Sequence, residues 1–362
     1  MSRNKNVDVF RACALLTVII YHCWVLTGSR PFAFSWLTNF VALGGESGVT
    51  AFFVLSGFGI FYSLDSMANH GGINYPTFMK KRFVRIAPQY YLSILVVLLI
   101  ADSQYFSDYG IKSVVTHLFF VHNLFPDCAG MINGALWTMG VIVQFYIIAP
   151  ILYKAFRRFG GWMLLLSIIF TVLCKYTLFD IILPYLGKSD GSVLFFAGRN
   201  QLFSVIDNFC VGMYVAWVIK YKKQKIGYKP AMIITVISVG LLILFSSIGI
   251  KYGVNTNNWS GYIWHSVVAI IIGAIVYGIS YLKTLDDNWL YKKFLQLAHY
   301  EYGIYVWHLL IFYNLINHSP WVQACLNQEH VKWLYLPFTA IAIFVGVIFT
   351  NLVDKKIITE KR

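Results

Sequence analysis

"FRACALLTVIIYHCWVL", residues 10–26, is an apolar run of membrane grade that carries two residues foreign to lipid, Arg11 and His22. The rest of the chain has the same character. Of its 362 residues 58% are hydrophobic, 18% aromatic and only 12% charged, far more apolar than a soluble domain. The chain therefore reads as an all-α integral membrane protein. Runs long enough to cross the bilayer predict about ten transmembrane helices, near residues 9–27, 47–64, 86–102, 135–153, 161–179, 200–219, 231–250, 261–282, 300–317 and 333–353. Residues 103–134 form a long outer loop, and its apolar part, "VVTHLFFVHNLF", is too short to span.

The charges test that count independently, because lysine and arginine favour the cytoplasmic side. With the N-terminus inside, 22 of the 29 cations fall in inner segments, among them Arg3, Arg11, Lys80–Arg85, Lys220–Lys229 and Lys355–Arg362. Six fall outside (Arg30, Lys112, Lys188, Arg199, Lys251, Lys332), and Lys175 lies within a span. Both termini are accordingly expected in the cytoplasm. The net charge of +14 is then mostly a topology signal that also favours anionic lipid headgroups, and no aromatic-interleaved basic motif argues for nucleic acid. No small-x-small cleavage site precedes "GSRPFAF", so the first span reads as a retained anchor.

Several chemistries lack sequence support. The six cysteines form no CxxC pair and indicate neither a zinc site nor a disulfide framework; Cys128 and Cys325 both fall in outer loops and could pair, and the others read as core filling. There is no HExxH, Walker loop, GxGxxG or GxSxG, which leaves metal, nucleotide-fold and triad chemistry without a motif.

Arg11 and His22 are eleven residues apart, about three helical turns, so they share a face, with His22 roughly 16 Å further from the cytoplasm. Arg11 also fits a plain snorkelling role and His22 a helix-pairing one. An ionisable group this deep nevertheless marks function by default. In "KKRFVRIAP", residues 80–88, Arg82 and Arg85 stand at i and i+3 as the chain enters the third span. Two guanidinium forks side by side suit a phosphate or pyrophosphate, though topology alone also accounts for them. Together the two elements suggest an anionic cytosolic donor held at the inner face, its reactive end reaching toward His22.

In these residues the chain resembles the acyltransferase 3 family of membrane O-acyltransferases. The resemblance rests on "VDVFRACALLTVIIYH", "GVTAFFVLSGFGIFY", the RxxR of "RFVRIAPQYY", "LWTMGVIVQFYIIAPIL" and "YGIYVWHLLI", in order from residue 7 to about 312. It implies ten spans and transfer of an acyl group, commonly acetyl from acetyl-CoA as co-substrate, to a hydroxyl of a glycan or lipid-linked sugar. Succinyl is the other cargo considered. Carried over by position, His22 resembles the catalytic histidine, Arg11 its partner in the motif, and Arg82 and Arg85 the donor-binding pair. An imidazole suits the removal of the acceptor hydroxyl's proton; whether His22 acts as that base or carries the acyl group itself stays open.

This chain departs from the family in two places: Ile142 and Val143 stand where many relatives have a carboxylate pair, and Thr50 where many have Asp. A carboxylate that orients His22 must then come from elsewhere, first from Glu46 and second from Asp207. Trp137 and Gln144 are candidates for the acceptor or acyl pocket, and His308 matches a family position, with helix-helix bonding as its other reading. Glu301 is expected to pair with a basic loop. Ser56 and Gly57 read mainly as close helix packing.

The rival reading is a transporter or flippase for a lipid-linked glycan or small anion. Such proteins often show repeated halves and helices broken by Gly or Pro, whereas here no repeat is evident and the nine prolines read as lying in loops or near span ends. The architecture expected is one membrane-embedded domain over residues 1–362, in a bacterial inner or plasma membrane, with no appended soluble domain. Acceptor specificity would come from the outer loops, a second copy of the chain or a biosynthetic partner.

Overall fold

The computed structural model describes residues 4–100, 108–188, 190–222, 225–254, 256–326 and 331–359. Four cations of the charge pattern, Arg3, Lys223, Lys361 and Arg362, lie outside the described residues, as does the start of the long loop, 103–107. The described chain is helical, and nine of its helices are long and apolar enough to cross a membrane. They define a multi-pass membrane protein.

The first span, α1 (Lys5–Leu26), begins at Asn4, whose side chain accepts from the amides of Asn6 and Val7 and so satisfies two of the orphan donors at a helix start. A short surface helix, α2 (Ser35–Ala42), then leads into α3 (Gly44–Asn69), the most deeply buried span. Glycine lets α3 sit where it does. A Cβ on Gly57 would stand 2.0 Å from the carbonyl oxygen of Phe209, and one on Gly212 1.8 Å from that of Val54, so α3 meets α10 (Leu202–Tyr221) backbone to backbone. The expected close packing at Gly57 is thus present.

Next come α4 (Tyr75–Ile100), the short α5 (Asp108–Leu118), α6 (Trp137–Phe159), and α7 (Gly161–Tyr176), which runs through a π-helical stretch, Thr177–Ile182, into α8 (Leu183–Tyr185). After α9 (Gly191–Arg199) and α10, the spans α11 (Tyr228–Tyr252) and α12 (Trp259–Ile279) pack against each other. The chain closes with α13 (Trp289–His299), α14 (Glu301–His318), α15 (Pro320–Leu326) and α16 (Tyr335–Thr359). Much of α7, α11 and α16 is exposed and apolar, as a lipid-facing rim requires, while α1, α3, α6, α10, α12 and α14 carry most of the core.

Three expectations need adjustment. The predicted ninth span is present as α14, but Glu301, His308, Asn314 and Asn317 leave it short of the apolarity of the other nine; it is sheltered by α1, α4 and α16. Next, α4 starts at Tyr75 rather than near 86, which puts Pro88 inside a helix, and Pro150 is inside α6. Helix propensity carries Lys80, Lys81, Arg82 and Arg85 into α4 although they are too polar to register as span. Finally, Cys128 and Cys325 are both free thiols, with Cys128 fully buried.

One buried ionic node fastens the end of the bundle at which α1 begins. Asp65 of α3 is fully buried and is met by Arg157 at 3.2 Å, by Tyr153 Oη at 2.9 Å, and by Lys220 and Tyr221. A carboxylate this deep is retained only when paired and hydrogen-bonded.

Candidate active site

Two cavities approach each other along the bundle. The larger, about 1540 Å³, opens at the basic end of the helices and exceeds an ordinary small-molecule pocket. Arg11, Arg82 and Arg85 all line it, so the structure brings the three sequence-predicted donor residues together. Arg11 Nε lies 3.3 Å from Glu301, which therefore pairs within the site rather than with a basic loop. Arg82 donates to Ser63 Oγ at 2.6 Å and packs over the Phe78 ring. Toward mid-bundle the cavity ends against Val49, Phe52, Thr138 and Tyr305.

The smaller cavity, about 230 Å³, lies at the opposite end and is lined by His22, Tyr21, Trp137, Arg199 and Asn200, with Gly130 and Gly134 leaving room beside them. The two cavities share no lining residue. Tyr305 lines the larger one, its hydroxyl 3.0 Å from Thr138 Oγ and donating to the carbonyl of Ala135 at 3.2 Å.

His22 and His308 face each other, Nδ1 to Nε2, at 3.0 Å. His308 Nδ1 in turn lies 2.6 Å from the carbonyl oxygen of Tyr305. A carbonyl can only accept, so in the uncharged His308 ring Nδ1 carries the proton and Nε2 is the acceptor. His22 must then donate from Nδ1, which leaves the lone pair on its Nε2. The network thus fixes the tautomer of His22 that a general base needs.

Glu46 directs its oxygens to Arg199 and His265 rather than to His22. Its Oε1 pairs with Arg199 at 3.1 Å and its Oε2 accepts from His265 Nε2 at 3.2 Å. His265 Nδ1 is 3.2 Å from Lys175 Nζ. Asp207 is fully buried on α10 and belongs to the surroundings of Lys175, Thr171 and Ser266, also away from His22. Trp137 lines the small cavity, its ring under the Arg199 guanidinium at 4.7 Å. Gln144 stands behind that wall instead of in it: its amide donates to Asn123 Oδ1 at 2.9 Å, and Asn123 donates to the Asn200 carbonyl at 2.9 Å.

The long loop adds Ala129, Gly130 and Gly134 to the small cavity. His117 and His122 stack at 3.9 Å, and His122 Nε2 lies 2.9 Å from the carbonyl of Leu136, immediately before α6 begins at Trp137. Burial holds His117 down to about 4 and, with His117 beside it, His122 to about 3, so both rings are neutral at pH 7.

Sequence reading missed Arg199, His265 and Lys175 as site residues. Lys175 and His265 are ionisable groups within spans, which is a signal of function in itself. Arg199 gives no such signal, because an outer-loop arginine is ordinary.

Fold and site together define a polytopic membrane protein with an arginine-lined cavity on one side of a histidine pair and a small polar pocket on the other. The family model described as "Acyltransferase domain" matches residues 4–353, and the chain belongs to this acyltransferase 3 family. It is 26% identical to the peptidoglycan O-acetyltransferase OatA of Listeria monocytogenes over 84% of this chain and 48% of that protein. It is 24% identical to the protein named regulator of hypoxia-inducible factor 1 of Caenorhabditis elegans, over 97% of this chain and 78% of that one. A third relative, YrhL of Bacillus subtilis, provisionally named a peptidoglycan O-acetyltransferase, is 23% identical over 98% of this chain and 55% of its own length. The chain thus spans about half the length of these bacterial relatives. No solved structure gives a significant match.

Proposed function

We propose that this membrane O-acyltransferase takes an acetyl group from acetyl-CoA entering the large cavity from the cytoplasm and passes it to a hydroxyl of a glycan or lipid-linked sugar at the small one. The observation that carries this reading is the position of His22, which lines the small cavity while Arg11, Arg82 and Arg85 line the large one. Three guanidinium groups suit the diphosphate and phosphate of a coenzyme A, each able to make charge-assisted hydrogen bonds to them.

In the transfer itself the acceptor oxygen attacks the thioester carbonyl carbon, and its proton passes to His22 Nε2. The carbonyl π pair moves onto oxygen and returns as the C–S bond breaks. Sulfur leaves with that bond's electron pair and takes the proton back from His22, so the products are an ester and a free thiol. His308 keeps Nδ1–H of His22 engaged throughout and stabilises the transient imidazolium. Because the two cavities share no lining residue, this chemistry requires side chains between them to move. On this reading the basic end of the bundle faces the cytoplasm, the protein sits in the cell membrane, and acceptor delivery by a partner or second copy is compatible with the site.

The test is acyl transfer in sealed membrane vesicles with radiolabelled acetyl-CoA on the basic-end side, comparing wild type with His22→Ala at equal protein level. Label incorporation by the wild type that is lost in the variant supports the assignment. Equal incorporation by both would remove His22 from the chemistry.

A further inference from the structure

Four buried ionisable side chains that take no part in the histidine pair form one chain across the bundle. Arg199, at the end of α9, pairs with Glu46 of α3; Glu46 accepts from His265 of α12; His265 meets Lys175 of α7. Glu46, His265 and Lys175 are 6%, 2% and 0% exposed. The donors and acceptors alternate without conflict. Lys175 can only donate, so His265 accepts at Nδ1 and donates from Nε2, and Glu46 accepts both that proton and one from Arg199. Removing such ions from water costs several kcal/mol each, and apolar packing of equal volume would hold four helices together at least as well. Buried ions of this kind in a membrane protein mark a functional requirement.

The chain ends at the pocket that holds His22. Among the described residues lining that pocket, Arg199 alone has a permanent charge. Its guanidinium is fixed twice, by Glu46 at 3.1 Å on one nitrogen and by the Trp137 ring, 4.7 Å away, across its plane. A charge held this way reorganises little when a new charge forms beside it. Attack on a thioester creates such a charge, on the carbonyl oxygen, in the place where His22 accepts the hydroxyl proton.

Resting on the acyl-transfer reading, we infer that Arg199 is a catalytic residue that stabilises the oxyanion of the tetrahedral intermediate, and that Glu46, His265 and Lys175 are positioning residues that hold it there. The carbonyl π pair that moves onto oxygen as the acceptor attacks is met by N–H groups of Arg199, and the pair returns to carbon when the C–S bond breaks. Preorganised donors aimed at a developing oxyanion typically contribute about 10²- to 10³-fold in turnover.

The experiment measures kcat and both KM values for acetyl transfer in vesicles for wild type, Arg199→Gln, Arg199→Lys, Glu46→Gln and the Arg199→Gln/Glu46→Gln double variant, each at a matched amount of folded protein. Arg199→Gln is expected to lower kcat by about 10²- to 10³-fold with both KM values within about threefold of wild type. Arg199→Lys, which keeps charge but not the planar fork, falls between. Glu46→Gln lowers kcat less, and in the Arg199→Gln background it has almost no further effect, because it acts through that arginine.

Wild-type kcat in Arg199→Gln, or a loss confined to KM, overturns the catalytic assignment, and additive losses in the double variant overturn the positioning chain. If Arg199→Gln does not fold, Arg199→Lys and Glu46→Gln carry the same decision, and unchanged kcat in both overturns the inference. A wild type that transfers no acyl group from acetyl- or succinyl-CoA removes the acyl-transfer reading and this one with it. An active wild type with an inert His22→Ala keeps the first reading whatever Arg199 does.

Discussion

Replacing His308 by Phe removes the acceptor that fixes the tautomer of His22 while keeping a ring of similar volume between α1 and α14. In the resting enzyme the His22–His308 bond joins two uncharged rings at 3.0 Å, a contact worth about 0.5–1.5 kcal/mol. When His22 takes the hydroxyl proton it becomes an imidazolium, the bond becomes charge-assisted, and its worth rises to about 1.5–3 kcal/mol. Only the gain, about 1–1.5 kcal/mol, acts on the barrier, so at 1.36 kcal/mol per decade kcat should fall by about 5- to 13-fold. Because the extra strength exists only once the charge has formed, the loss should appear in kcat, with KM for donor and acceptor little changed. Helix pairing should suffer little, since interhelical polar contacts in membranes average about 0.6 kcal/mol. The assay is steady-state acetyl transfer in vesicles, with thermal unfolding in detergent as the folding control. His22→Ala, which removes the base itself, should cost more, on the order of 10²- to 10⁴-fold. A His308→Phe protein turning over at the wild-type rate, or losing activity only through KM, would refute the tautomer argument.

Arg82→Ala and Arg85→Ala should each weaken acyl-CoA binding by about 10- to 150-fold, the worth of one charge-assisted contact, at near-normal protein abundance; equilibrium binding of labelled acetyl-CoA to purified protein reads this directly. Gly57→Ala and Gly212→Ala should destabilise the fold by about 1–3 kcal/mol or more, because each new methyl meets a backbone carbonyl across the α3–α10 contact, and thermal unfolding in detergent is the measure. Acid should also destabilise the protein. The folded-state values of His117 and His122 lie below the unfolded value of about 6.5, so the unfolded chain binds more protons and stability is complete above that pH. It should fall as pH drops from about 6.5 toward 4, by up to about 1.4 kcal/mol per pH unit for each ring, and His117→Phe should flatten the slope seen in unfolding curves between pH 7 and 5.

Spans were readable wherever lipid, rather than protein, is the neighbour. The runs at α7, α11 and α16 are apolar because their outer faces meet hydrocarbon, and any hydropathy reading finds them. Helix α14 was located by the same reading but is less apolar than the others, since a helix sheltered by α1, α4 and α16 can afford His308 and two asparagines. The start of α4 was misjudged because hydropathy reports lipid, not helix, and the lysines and arginines of residues 80–85 are good helix formers outside it. Within the site, Arg11 and His22 could be related from spacing alone, as both lie on one helix. Glu46 could not be assigned a partner that way. Its neighbours, Arg199 and His265, come from helices more than 150 residues away in sequence, and only tertiary packing decides that they, and not His22, receive its oxygens.

The separation of the two cavities bears on bioenergetics. A membrane under 100 mV drives each elementary charge across it with about 2.3 kcal/mol, and protons follow any continuous file of water. A membrane protein with an open bore between two such cavities would discharge the gradient of its cell. Here, among the described residues, the two cavities share no lining side chain, and on the wall of the larger one the Tyr305 hydroxyl is held by a threonine and a backbone carbonyl. On the proposed function, two chambers kept apart in this way would let acyl groups pass one at a time, as through an airlock, while the membrane stays electrically sealed.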